Sequence, residues 1–219
     1  MNEVDKITGK ELEKVADKKS VVREVFEWVM CFFAAFVVAA IIRYFLFTPT
    51  LVMQTSMTPT ILNQERVLIN RTVRTFKLPI FRGDIVTFEM PLATDKNGVA
   101  VYDDVEGIWA FLVHDVLEAG KTSYIKRVIG IEGDHVLIKD GKVYVNDNKL
   151  SEVYLNGVET PITGEYYDIV VPEDCIFVMG DNRGGSTDSR FFGCIPIEKV
   201  EGRVKTRIWP LSKFGKIDK

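Results

Sequence analysis

A chain of 219 residues with 47% hydrophobic content is long enough to bury one sizeable core and still cross a membrane once. Lys and Arg number 28 against 31 Asp and Glu, a formal net charge of -3, which argues against a dedicated nucleic-acid binder with its basic face. His114 and His135 stand outside any metal-ligand spacing such as HExxH, and Cys31, Cys175 and Cys194 form no CxxC, so neither zinc nor a redox motif is expected.

Residues 1–27 are polar and helix-prone. From Trp28 the chain reads WVMCFFAAFVVAAII, then Arg43, then YFLF to Phe47. Twenty residues at about 1.5 Å rise make a helix of roughly 30 Å, enough to cross a bilayer core. Arg43 can snorkel to the headgroups, and Trp28 and Tyr44 suit the interfaces. A buried core helix is the competing reading. A cleavable leader fits less well, because no short basic region precedes the apolar run and no small-x-small site follows it. Lys14, Lys18, Lys19 and Arg23 precede the span and only Arg43 closely follows it, which puts residues 1–27 in the cytoplasm and 48–219 outside.

Beyond Phe47 the pattern changes to short β-rich runs. The segment TPTLVMQTSMTPT (48–60) carries Ser56, nine residues past Phe47 and so at most about 30 Å along an extended chain. Ser56 either serves as a nucleophile close to the membrane or supports a turn before Thr58-Pro59. RVLIN (66–70) and DIVTFE (84–89) read as strands. Residues 91–122 fit no strand pattern and read as an insertion, with apolar GIWAFLV (107–113) packing on the core or touching lipid.

YIKRVIGI (124–131) is a strand on which Lys126 and Arg127 face opposite sides, each among apolar neighbours. Whichever face is buried takes a basic group. A buried lysine disfavours its charged form, and its pKa can fall by about 3–5 units, which makes Lys126 a candidate general base; the alternative is an edge lysine facing water. HVLIK (135–139), Asp140-Gly141 and KVYVN (142–146) spell a hairpin with a primed turn, and CIFVM (175–179) is another strand. In GDNRGGSTDSRFFG (180–193), glycines bracket Asp181, Asn182, Arg183, Ser186, Asp188, Ser189 and Arg190. So polar a loop is either a turn with internal ion pairs or the wall of a site. IPIEKVEGRVKTRIW (195–209) reads as two closing strands joined near Glu201-Gly202.

Taken in order, the span, SMTPT, RGDIVTF (82–88), YIKRVIGIEGD, the DGKVYVN hairpin and GDNRGGSTDSRFFG resemble the sequence boxes of type I signal peptidases. The resemblance implies a mainly β fold, an antiparallel, partly coiled sheet peptidase domain behind one N-terminal transmembrane helix, with no cofactor. It implies that Ser56 is the nucleophile and Lys126 the base. Ser186 would hydrogen-bond the lysine amine, and Asp181, Arg127, Asp188 and Arg190 would brace the site through ion pairs. The implied partners are signal peptides of exported preproteins and the lipid bilayer, and the implied location is the plasma membrane.

Small substrate residues at the first and third positions before the cut would enter shallow apolar pockets; Leu51, Val52, Met53 and Met57 either line those pockets or are ordinary core. Many relatives carry serine or glycine two residues before the nucleophile; this chain has Gln54, which leaves the second oxyanion donor unassigned. A self-cleaving Ser/Lys repressor-type protease and an inactive membrane-tethered β-domain that only binds export partners are the rival functions. Cys175 and Cys194 lie on the expected exported side, where a disulfide between them can persist.

Overall fold

The computed structural model describes residues 3–102 and 122–217, with side chains from residue 21 onward. Two compact units are present, Met1–Ile42 and Arg43–Lys219. The first is most of helix α1, Glu3–Phe45. Within it Val21–Phe45, 25 residues of mean hydropathy 2.5, is long and apolar enough to cross a membrane. Trp28, Phe32 and Phe36 are exposed around the helix. The helix stops at Phe45, and Phe47, expected as the last residue of the span, opens the first strand instead. Pro49 disfavours a helical Thr48, and the Thr48 hydroxyl donates to the Arg43 carbonyl at 2.8 Å, satisfying one orphaned acceptor of the last turn.

The second unit is built on antiparallel sheet. Its strands are β1 (Phe47–Leu51), β2 (Arg66–Asn70), β3 (Ile85–Glu89), β4 (Ala93–Thr94), β5 (Ala100–Val101), β6 (Ser123–Ile131), β7 (His135–Lys139), β8 (Lys142–Val145), β9 (Asn148–Lys149), β10 (Asp168–Val170), β11 (Cys175–Met179), β12 (Ile195–Pro196), β13 (Val200–Trp209) and β14 (Gly215–Lys216). A short helix α2 spans Thr72–Thr75. The main sheet runs β1-β2-β13-β3-β6-β11-β12 with β14 on β13; a second sheet runs β10-β7-β8-β9. Asp140 and Gly141 both take positive φ, 51° and 71°, as the primed turn between β7 and β8 requires.

β6 is flanked by β3 and β11, and Arg127 pairs with Ile85 on one side and Met179 on the other. From Ile125 to Gly130 every residue of β6 is buried, so both of its faces are covered. Ile125, Val128 and Ile129 each belong to a different one of the three core clusters. The strand that carries Lys126 is therefore the centre of the domain.

One expectation needs correction, and one pairing left open is decided. Glu201-Gly202 does not join two strands: β13 runs through both residues, with a register shift against β3 between Val200 and Gly202. Gly202 is required by close approach, since a Cβ there would lie 2.6 Å from the Asn70 carbonyl oxygen. The Cys175–Cys194 bridge is absent, and both thiols are free and buried. Pro196 lies opposite Cys175, so Cys194 is offset by two residues, a diagonal relation of about 7–8 Å that a disulfide rarely spans. Of the 91–122 insertion, residues 91–102 fold as the β4–β5 hairpin, tied to Cys194 through Gly98 and Ala100; GIWAFLV lies outside the described residues.

Candidate active site

Ser56 sits in a tight turn that begins five residues after β1. The Thr58 N–H donates to the Thr55 carbonyl at 3.1 Å, and the Ile61 N–H to Met57 at 2.9 Å. Met57 and Ile61, both fully buried, pin the turn into the core beside Val67, Ile69, Ile125 and Val204. From the other side, Asn182 donates its N–H to the Ser56 carbonyl at 2.9 Å and its amide to Thr55 at 3.3 Å. Gly180 makes that docking possible: a Cβ there would fall 2.5 Å from the Ser56 carbonyl oxygen and 2.2 Å from Ser186 Oγ.

Lys126 projects from the centre of β6 and is 1% exposed. Its Nζ lies 2.8 Å from Ser56 Oγ, across 70 residues of sequence. The Tyr124 ring, 4.8 Å from Nζ, closes one side, and Tyr124 in turn packs with Phe88 and Phe192. Burial pushes the lysine pKa from 10.5 down to about 8, with Asp188 pulling it up and Arg190 pushing it down.

Its neighbour Arg127, on the opposite face, is equally buried but has a dedicated anion. Asp181 accepts from Arg127 Nε at 2.8 Å and Nη2 at 2.7 Å. The contrast separates the two cations. Arg127 is neutralised by a two-pronged carboxylate, whereas the contact at the tip of Lys126 is a hydroxyl.

The charged groups of loop 180–193 are buried, while Gly184, Gly185, Thr187 and Phe191 are exposed. Asp188 binds Arg190 through both carboxylate oxygens, at 2.8 and 2.9 Å, and accepts the Gly180 N–H at 2.9 Å. Arg183, whose side chain is fully buried, pairs with Glu152 and donates to Thr160. Sequence reasoning missed Glu152 and Thr160, which lie far from the loop in the chain. The hydrogen bond expected from Ser186 to the lysine amine is not made. Ser186 Oγ is buried and has no partner among the described residues, facing the space left by Gly180, while the amine points to Ser56.

Along the segment that leads to Ser56 lies a cleft of about 380 Å³, lined by residues 50–54 on one side and 122, 123 and 125 on the other, with Val67, Ile69, Thr87 and Glu201 between them; Ser56 and Lys126 are not among its lining residues. β1 and β6 stand four places apart in the sheet order, so the sheet coils to bring them face to face. Leu51, Val52 and Met53 line this cleft, and so does Gln54. Met57 does not, because the turn at Ser56 directs it into the core. The polar groups of the cleft went unnoticed in the sequence: Ser123 Oγ donates to Glu201 at 3.0 Å, and Thr87 is buried beside them.

The family model described as "Signal peptidase, peptidase S26" matches residues 25–209. Signal peptidase I of Bacillus licheniformis is 37% identical over 214 residues, covering 94% of this chain and 98% of that protein. Signal peptidase IB of Staphylococcus aureus is 33% identical over 208 residues, 88% of this chain and 93% of its own. Among solved structures, a signal peptidase I from Enterococcus faecalis is similar at 29% identity and a TM-score of 0.39, over 57% of this chain and 96% of that one.

Proposed function

Because the chain belongs to the signal peptidase family, peptidase S26, we propose that it removes signal peptides from exported preproteins with Ser56 as nucleophile and Lys126 as general base. It is a type I signal peptidase, and neither the repressor-type protease nor the inactive tether is favoured. The observation that supports the dyad is the 2.8 Å contact between Lys126 Nζ and Ser56 Oγ inside a buried site. A serine hydroxyl attacks poorly until a neighbouring base takes its proton. Here the base is an amine whose charged form is disfavoured by burial.

The proposed sequence of events uses only side chains of the domain. Ser56 Oγ attacks the scissile carbonyl carbon as its proton passes to the neutral Lys126 amine. The Ser56 N–H donates to the oxyanion that forms. As the tetrahedral centre collapses, the ammonium returns the proton to the leaving amine, and the acyl group stays on Ser56. Lys126 then takes a proton from water as the water attacks the acyl carbonyl, and returns it to Ser56 Oγ as the Oγ–acyl bond breaks and the signal peptide leaves. Asp181, Arg127, Asp188 and Arg190 hold strand and loop around the dyad rather than react. An extended substrate fits between the 51–54 and 122–125 walls of the cleft, where strand-like hydrogen bonds hold it and alternate side chains enter pockets. The apolar helix within Val21–Phe45 anchors the enzyme, with residues 1–27 cytoplasmic and the 48–219 domain on the outer face.

Purified protein in lipid, incubated with a preprotein, is expected to release a product whose new N-terminus, read by mass spectrometry, follows the signal peptide. Ser56→Ala is expected to abolish that product while leaving the thermal unfolding transition in place. A folded Ser56→Ala protein that still cleaves would remove the serine from the mechanism.

The rate should also track the protonation of Lys126. The amine is a base only when neutral, and its pKa is lowered to about 8. Measured as kcat/KM, cleavage is expected to climb about tenfold per pH unit below 8 and to level off above it. A profile flat from pH 6 to 9 would assign the base to another group.

A further inference from the structure

Asn182 touches the nucleophile segment twice, and the proposed cleavage assigns it no part. Its backbone N–H donates to the Ser56 carbonyl at 2.9 Å, and its side-chain amide donates to the Thr55 carbonyl at 3.3 Å. Those two carbonyls belong to consecutive peptide groups. Thr55–Ser56 lies before the Ser56 Cα, and Ser56–Met57 lies after it. One residue therefore holds both of the planes that meet at the nucleophile, and with them both backbone dihedrals of Ser56.

The first plane carries the oxyanion donor. Thr55–Ser56 is a trans peptide, in which the N–H points away from the C=O of the same unit. Fixing the Thr55 carbonyl thus fixes the direction of the Ser56 N–H. That carbonyl also accepts the Thr58 N–H at 3.1 Å, which directs it into the turn. The Ser56 N–H is turned the other way, and among the described residues it has no acceptor. Two donors on one carbonyl also polarise the peptide unit, which strengthens its N–H as a donor.

Asn182 is itself held in place. Its carbonyl accepts the Gly185 N–H at 3.0 Å. The residue before it, Asp181, binds Arg127 on β6 through two hydrogen bonds and accepts a third from Thr60. Arg127 adjoins Lys126 on that strand, so the frame that carries the base also carries Asn182.

We infer that Asn182 is a positioning residue for the oxyanion donor: its amide fixes the Thr55–Ser56 peptide so that the Ser56 N–H meets the charge developing on the scissile oxygen. The inference rests on the proposed attack by Ser56. Outright loss of an oxyanion donor costs about 10²–10³ in rate. Asn182 acts on that donor through another group, and Thr58 still holds the same carbonyl. The expected effect is therefore smaller, about tenfold.

The test compares two ligands of one sequence on the full chain in detergent. Both are peptides ending at the residue before the cut of a cleaved preprotein, one as an aldehyde and one as a primary amide. Ser56 Oγ adds to the aldehyde carbon, its proton passes to Lys126, and the former carbonyl oxygen becomes an oxyanion. The amide is only bound. The parent enzyme is expected to prefer the aldehyde by about a hundredfold or more. Asn182→Ala is expected to lose about tenfold of that preference with amide affinity unchanged, and in turnover to lower kcat about tenfold at constant KM. Asn182→Asp keeps the side-chain shape but puts an acceptor where the amide nitrogen was, and is expected to lose at least as much. Should the alanine variant fail to fold, the aspartate variant carries the same comparison. Full aldehyde preference in a folded Asn182→Ala protein would overturn the inference and leave attack by Ser56 intact. An equal loss for aldehyde and amide would point to damage in the cleft and count against positioning. A parent enzyme with no aldehyde preference would remove the Ser56 reading, and the inference with it.

Discussion

Lys126→Met is expected to give an enzyme that is inactive and, at pH 6, more stable than the parent. General-base catalysis is worth about 10²–10⁴ in rate, and methionine keeps most of the volume while removing the base. The stability gain follows from the direction of the pKa shift. The folded pKa of about 8 lies below the unfolded value near 10.5. Below pH 8 the lysine is charged in both states, and the folded state carries the full cost of burying the ammonium, about 3 kcal/mol. Between pH 8 and 10.5 the unfolded chain binds the proton that the folded one has lost, so wild-type stability rises with pH and the cost fades. Methionine removes the cost but also the contact with Ser56, worth about 1 kcal/mol. The net expectation is a gain of about 2 kcal/mol at pH 6, or about 4–8 °C in Tm, that vanishes by pH 10. Thermal scans of both proteins at the two pH values check this. No gain at pH 6 would mean that the amine is hydrated, and the basis for its reactivity would be gone.

That cost explains the architecture around β6. Adjacent residues on the strand present cations to opposite buried faces, and the fold treats them differently. Arg127 receives Asp181, while Lys126 receives Ser56 and an aromatic wall. A carboxylate bonded directly to Lys126 would stabilise the ammonium and raise its pKa, improving stability at the expense of the base. Asp188 acts on the lysine in that direction, but its own two-pronged partner is Arg190, which pushes the other way.

Much of this was legible in the sequence, for identifiable reasons. The strands RVLIN, HVLIK and CIFVM were read to the residue, because alternation and short apolar runs bounded by turn residues are local signals. That a buried face of β6 takes a cation was foreseeable from Lys126 and Arg127 being neighbours on an apolar strand; that both faces are buried was not. The Ser56–Lys126 contact was not, since spacing says nothing about proximity across 70 residues; only the resemblance pointed to it. Glu201-Gly202 was misread because a Glu-Gly pair looks like a turn, whereas this glycine answers a close approach by Asn70 that only the pairing of β2 with β13 creates. Glu152, which meets Arg183 across 31 residues, left no local mark at all.

Asp181→Ala is expected to be the most destabilising single change in the site. The carboxylate holds Arg127 through two hydrogen bonds and accepts a third from the Thr60 hydroxyl, and the Arg127 and Asp181 side chains are 1% and 0% exposed. Removing it leaves a guanidinium buried between Tyr154, 3.9 Å from its ring, and the core. Breaking a buried pair from one side costs about 3–5 kcal/mol, and here the surviving guanidinium keeps the Gly83 carbonyl, 3.2 Å from Nη1, as its only acceptor among the described residues. The midpoint in urea should fall accordingly, and much of the protein should be lost in expression. Arg127→Met/Asp181→Leu removes both charges together and is expected to recover most of that loss, since apolar groups of similar volume replace buried pairs at little cost. The double variant also separates stability from positioning. Asn182, next to Asp181, bonds the Ser56 carbonyl; a stable double variant with reduced kcat and unchanged KM would show that the pair sets the angle of the nucleophile turn. An Asp181→Ala protein as stable as the parent would mean that water reaches Arg127, and that the two cations of β6 are not set apart by burial.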